Sequence, residues 1–390
     1  MERLWNANYV KIWSSNYMLN FAFMILSPLL PLYLSEHFGA NKDQIGMVLA
    51  GYALTALIIR PFSGFIVDSF QRKTVLLICY AVFTVLFGGY MLAGSILMFG
   101  VVRTLHGAPM GATTVSSSTV AIDVLPSSRR AEGIGYYGLS NNLSTAIAPA
   151  IGLAIYHATG NFMILFGIAA ATALVGLIIN CTLHIKPNVE KKEKLHISLD
   201  RFFLVKAWKL TIAMILFAFP FGVMFTYVAI YGKEALGITT GSGVFFALLS
   251  TGLVLSRLIG ARSLRKGNLV QNGLEGVCIS MLGYLLFASM HNAIGYFGAP
   301  LLVGFGYGHL FPAIQMMFIN LAPHSQRGTA SSSMLIAWDL GLGLGYILGG
   351  VIIEHMGYFT TFWVAWAVIA VGGIYFASRV RSHYLANKLR

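Results

Sequence analysis

The sequence predicts an all-α membrane protein built from twelve helices in two pseudo-symmetric six-helix bundles. Three observations predict it. First, the 390 residues are 57% hydrophobic and only 10% charged, where a soluble domain carries roughly 25% charged residues. That apolar surface exceeds what one water-facing globule can hide, and it comes in stretches of about 20 residues, enough to cross a bilayer. Second, residues of the first half recur 197 positions later: Arg60 and Arg257, Gly107 and Gly304, Gly111 and Gly308, Pro126 and Pro323, Arg130 and Arg327, Gly152 and Gly349. Parallel membrane repeats of this kind let two bundles rock about a site held between them, which points to transport. Third, of 26 Lys and Arg, all but five fall at one membrane face or in the tails. Lys42 and Lys233 lie at the other face, and Arg60, Arg103 and Arg257 lie inside helices.

The expected helices run over 12–35, 44–67, 74–94, 97–123, 132–157 and 160–185 in the first half. In the second they run over 204–232, 241–262, 269–290, 293–320, 329–353 and 358–380. Runs such as Val75 to Met91 lack the alternation of a transmembrane β-strand. The first apolar run has no small-residue cleavage site closing it, so it reads as a retained helix and not a removable signal. Between the halves, Pro187 stops the sixth helix and a charged stretch follows. Charge of that density does not enter lipid cheaply. Residues 186–203 therefore read as a linker between bundles 1–185 and 204–390. The basic asymmetry puts the linker and both termini in the cytoplasm. The net charge of +13 then reports topology and anionic lipid, not a nucleic-acid partner. Cys79, Cys181 and Cys278 are scattered, with neither metal spacing nor a disulfide framework, and read as small buried hydrophobes.

Of the 13 acidic residues, only Asp339 falls in the middle of a helix. A carboxylate at bilayer depth costs about 2.5–3.5 kcal/mol on insertion scales. A carboxyl so costly to keep charged is a candidate proton carrier; the competing reading is a carboxylate fixed permanently by a neighbour such as Arg103 or a Trp. Its repeat mate is Asn142, which therefore faces the same centre. Arg103, in the outer third of the fourth helix, needs a partner or a wet cavity. His106 and His309 lie at similar depth and can titrate near neutrality, although each read alone is a helix-packing residue.

The segment from Gly64 through Asp68 to Arg72 and Lys73 combines a small residue for close helix approach with an acid able to cap a helix N-terminus, then a basic pair. It resembles the loop 2–3 signature of the major facilitator superfamily. Arg103, Gly107 and Gly111 resemble the fourth-helix signature of proton-coupled members, and Pro149 with Gly152 the fifth-helix signature of antiporters. Ser69, Gln71, Ala148 and Leu153 depart from those patterns. In the second half, Arg257 to Lys266 echoes the loop without its aspartate.

The resemblance covers essentially the whole chain and implies a latch in which Asp68 contacts the start of the eleventh helix at Gly328 and Arg72 pairs with Asp123. It implies proton coupling through Arg103. The family arrangement also implies a central cavity lined by Asn20, Met24, Thr113, Ser117, Tyr137, Asn142, Phe221, Phe225, His309, Gln315 and Trp338. Such a lining suits an organic molecule with an apolar body better than a bare ion. No phosphate loop, His-Glu-x-x-His pattern or nucleophile elbow is present in the sequence, so no enzyme chemistry, cofactor or metal is expected. The reading is a monomer in a bacterial cytoplasmic membrane, exporting a small amphipathic compound against protons. The alternatives are proton-linked uptake of a sugar, organic anion or zwitterion, and a membrane sensor that transports nothing.

Overall fold

A computed structural model describes residues 4–126, 129–185, 203–239, 241–265, 268–323 and 326–389. Among them every regular element is helical. The chain divides into two compact units. Unit 1 comprises Met1–Tyr33 and Gly51–His196, and unit 2 comprises Leu34–Ala50 and Ile197–Arg390.

Unit 1 contains α1 (Ala7–Met24), the start of α2 (Leu30–Phe38), most of α3 (Lys42–Ser69), α4 (Arg72–Leu92), α5 (Ile96–Val124), α6 (Arg130–Thr159) and α7 (Phe162–Cys181). Here α1 packs on α5, α6 and α7, and α4 packs on α5 and α7. Unit 2 contains the end of α2, the start of α3, α8 (Trp208–Leu236), α9 (Ser242–Arg265), α10 (Leu269–Ser289), α11 (Ala293–Leu321), α12 (Arg327–Tyr375) and α13 (Arg381–Asn387). Its main packings are α8 on α12, α10 on α11 and α9 on α11.

One expected boundary is corrected. The single first helix over 12–35 is two helices, with residues 25–29 between them. Pro28 sits in that gap; lacking an N–H, it cannot continue the ladder, and the chain turns through Leu29 N–H to Leu26 O at 2.8 Å. The eleventh and twelfth helices, expected over 329–353 and 358–380, are the two parts of α12, separated by a kink at Gly357 with φ 83° and ψ 169°. That backbone is open to glycine and strained for other residues. Among the described residues, seven helical stretches are long and apolar enough to cross a membrane by length and composition. The cysteines are corrected too: Cys181 and Cys278 are exposed, and Cys79 is intermediate. An apolar thiol on an outward helix face meets lipid, so it needs no burial in protein.

The repeat is written into local geometry. Ser95 Oγ caps α5 by accepting from Met98 N–H, and its mate Asn292 caps α11 by accepting from Ile294 and Gly295 N–H. Gly160, which ends α6 with φ 62°, has Gly357 as its mate. A Cβ on Gly107 would collide with the Tyr52 carbonyl, and one on Gly304 with the Leu249 carbonyl. One turn on, Gly111 lies against Ala56 and Ile59, and Gly308 against Leu253 and Ser256. Both members of each contact are displaced by the same interval. The glycines are there because two helix backbones touch.

The segment 34–50 belongs to unit 2 through a set of charges. Glu36 Oε1 pairs with Lys233 Nζ at 2.7 Å, Lys42 Nζ with Glu234 Oε2 at 2.9 Å, and Asp43 Oδ2 with His355 Nε2 at 3.3 Å. Lys42 N–H also donates to Glu354 Oε2 at 3.0 Å. Beneath them, Gly46 packs on the Tyr346 carbonyl and Gly350 on the Lys42 carbonyl.

Candidate functional site

Each unit holds polar and aromatic groups in what would otherwise be apolar helix packing. In unit 1, α5 carries Arg103, which is only 5% exposed. Its guanidinium carbon lies 4.4 Å from the Tyr52 ring centre and 5.0 Å from that of Phe23. Those two rings stack on each other with centroids 4.7 Å apart. Arg103 Nη1 donates to Tyr90 Oη at 3.4 Å, and Tyr90 Oη lies 2.8 Å from His106 Nδ1. No described carboxylate pairs with Arg103. Cation–π contact over two faces, at about 1–2 kcal/mol each when desolvated, is of the order of the about 2.5–3.5 kcal/mol that an arginine costs in mid-membrane. The rings can hold the charge in place without a counter-ion.

His106 is fully buried, enclosed by the rings of Phe83, Phe87 and Tyr90. It orients Tyr90, and Tyr90 in turn meets Arg103. His309 in unit 2 points toward α9, with Nδ1 2.7 Å from Ser256 Oγ and its ring against Phe305.

A second polar group of unit 1 joins α1 to α6. Asn16 Nδ2 donates to Ser140 Oγ at 2.7 Å and to Asn141 Oδ1 at 2.5 Å. Asn20 Nδ2 donates to the same Asn141 oxygen at 2.9 Å. Nearby on α5, Ser117 Oγ accepts from Tyr137 Oη at 2.7 Å, and Thr113 is fully buried. Asn16, Asn20 and Phe23 follow helical spacing, so they share one stripe of α1 that runs from the Asn141 amide toward Arg103. Met24, next on the helix, is half-buried. Sequence reasoning missed Asn16, Phe23, Tyr52, Tyr90 and Asn141. The four-residue spacing of Asn16 and Asn20 in a membrane helix was the available signal. The aromatic partners of Arg103 gave none, because they come from three other helices.

In unit 2, Phe221 and Phe225 of α8 stack at 5.6 Å. Phe221 also meets Tyr307 at 4.9 Å and Trp338 at 5.3 Å, and Phe311 meets Trp338 at 5.2 Å. Asp339 follows Trp338 directly; it is half-buried and its Oδ2 is sealed from solvent. Gln315 is half-buried on α11. The sequence-derived aromatics Phe221, Phe225 and Trp338 thus come together, and Asp339 is the residue after Trp338 on α12.

At the end of α5, Arg72 Nη1 donates to Asp123 Oδ1 at 2.6 Å. Lys73 Nζ donates to the Leu183 and Cys181 carbonyls at 2.7 and 3.1 Å, closing the end of α7. Basic groups suit that negative helix end. Pro149 lies inside α6, and Gly152 packs on the Ile25 carbonyl. Gly64 and Asp68 fall in α3, Asn142 in α6 and Gly328 in α12; their surroundings lie outside the described residues, as do residues 186–202 of the expected linker. Among the described residues no group of three or more His, Cys, Asp or Glu gathers where a metal could sit.

The family model described as Major Facilitator Superfamily matches residues 12–346 and 276–388. The chain belongs to the major facilitator superfamily. It is thus a multi-pass membrane transporter. This superfamily member is 26% identical over 354 residues to the staphylopine export protein of Staphylococcus aureus, covering 86% of each chain. It is 22% identical over 387 residues to the multi-drug resistance efflux pump PmrA of Streptococcus pneumoniae, covering 94% of each. Among solved structures, a peptide transporter in complex with sulfate matches with a TM-score of 0.81 at 13% identity, covering 97% of this chain and 95% of that one. A bacterial homolog of the human lysosomal transporter Spinster, inward-facing and occupied, matches with a TM-score of 0.79 at 14% identity, covering 98% of both.

Proposed function

We propose that this superfamily member is a proton-coupled exporter of a small amphipathic compound, working by alternating access between bundles 1–185 and 204–390 with 186–203 as the cytoplasmic tether. In this reading twelve spans place both termini in the cytoplasm of a bacterial inner membrane. The protein works as a monomer without metal or cofactor. Asp339 carries the proton. Entry from outside neutralises it and changes which arrangement of the bundles is favoured; release into the cytoplasm resets the cavity. Only a few kcal/mol of differential affinity between states is required.

The observation that supports the coupling is the position of Asp339, an acid within the apolar helix α12 whose Oδ2 is sealed from solvent and which directly follows Trp338, a ring packed on Phe221 and Phe311. The direction is supported by the two export relatives. The aromatic group fits an apolar body, and the Asn16–Asn20–Asn141 cluster fits a polar end. Cells with and without the gene, compared by untargeted metabolite profiling of extract and medium, test it. Deletion should raise one small compound inside and lower it outside, and Asp339→Asn should behave like the deletion at normal expression. Loss of the compound from deleted cells would indicate uptake instead. Full export by the asparagine variant would remove Asp339 from the cycle.

A further inference from the structure

We propose that Arg103 is the anchor for a carboxylate on the transported compound, so that unit 1 selects small organic anions or zwitterions. This rests on the transport reading above only in taking the site for a substrate site. Arg103 is only 5% exposed, and no described acid neutralises it. Its three nitrogens are not equivalent. Nη1 gives one of its two N–H groups to Tyr90. Nε is sealed from solvent without a hydrogen bond. No described hydrogen bond engages Nη2 or the second N–H of Nη1, so the end of the fork keeps its donors for a ligand. The planar fork of guanidinium matches a carboxylate better than any other common ligand group. Phe23, Tyr52 and the Tyr90–His106 pair hold that fork in one orientation, so little ordering is needed when an anion arrives.

The far end of the ligand meets Asn141. Its Oδ1 already accepts from both Asn16 and Asn20, which leaves the amide nitrogen with two donors to give. Asn141 is exposed, and an amide turned to hydrocarbon would be costly, so these donors belong to a wet space. Asn20 and Asn16 precede Phe23 on α1 by three and seven residues, or about 5–10 Å at the helical rise. The fitting ligand therefore carries a carboxylate at one end and, one to two turns along α1, a hydrogen-bond acceptor.

Matched acids and amides test this on the purified full-length protein in nanodiscs: hippurate with hippuramide, glutarate with glutaramide, benzoate with benzamide. Binding is read as thermal stabilisation and tryptophan fluorescence. At least one acid should bind while its amide does not. Arg103→Gln should weaken that binding about thirtyfold or more, and Arg103→Lys about tenfold, since it keeps the charge and loses the fork. Should both variants fail to fold, the unaltered protein decides. The bound acid, and not its amide, should slow phenylglyoxal modification of Arg103 mapped by mass spectrometry. Equal binding of acid and amide, unchanged affinity in the variants, or no protection of Arg103 would each overturn the proposal. None of these readouts depends on transport direction or on protons, so failure of the export reading leaves a distinct signature.

Discussion

At the residue scale, two charged groups set the chemistry, and one ion pair tests the local geometry. Arg72 and Asp123 are each about one-quarter exposed or less, with side-chain exposures of 22% and 25%, so their hydrogen bond is partly shielded. Such a charge-assisted bond contributes about 1–3 kcal/mol, more than a fully solvated pair. Arg72→Asp and Asp123→Arg should each lower the unfolding temperature, and the double exchange should recover most of the loss. A double variant no better than the worse single one would show that the pair is incidental. The sequence disclosed this pair through the family resemblance, and it disclosed Asp339 through polarity alone, since an acid inside an apolar run stands out. It did not disclose the setting of Arg103. Phe23, Tyr52 and Tyr90 come from α1, α3 and α4, and nothing in the spacing of aromatic residues distinguishes a cation cage from ordinary packing. Asn142 was picked by its repeat mate and its surroundings lie outside the described residues; its neighbour Asn141, turned by about 100° on the helix, makes contacts to α1 that the repeat did not point to.

At the element scale, close helix contacts depend on particular glycines. Gly107 lets α5 touch the α3 backbone at Tyr52, whereas Gly88 on α4 faces nothing within 4 Å. Gly107→Leu should cost at least the about 1–3 kcal/mol of an overpacked interior, seen as reduced thermal stability in detergent. Gly88→Leu should cost far less. Equal effects would mean that α3 and α5 do not meet there. The repeat marks these glycines at one interval, and the structure supplies the backbone that each one touches. Helix ends were less legible. The break around Pro28 divides one apolar run into two helices, whereas the kink at Gly357 falls in the gap expected between 353 and 358. An apolar run reads the same on either side of such a break.

At the scale of the whole molecule, the positive residues predict the orientation. Cys181 is exposed at the end of α7, close to the carbonyls that Lys73 caps, and Cys278 is exposed within α10. A charged, impermeant maleimide should label Cys181 in inside-out vesicles and spare it in intact cells. Cys278, surrounded by lipid, should react in neither. Labelling of Cys181 from outside would invert the proposed topology. The central claim is that Asp339 takes up and gives off a proton under working conditions. Infrared difference spectra of the purified protein in lipid, titrated from mildly alkaline to mildly acidic pH, measure this directly. A protonated-carboxyl band should grow as pH falls and be missing from Asp339→Asn. The same band in the asparagine variant, or no such band in the unaltered protein, would contradict the account.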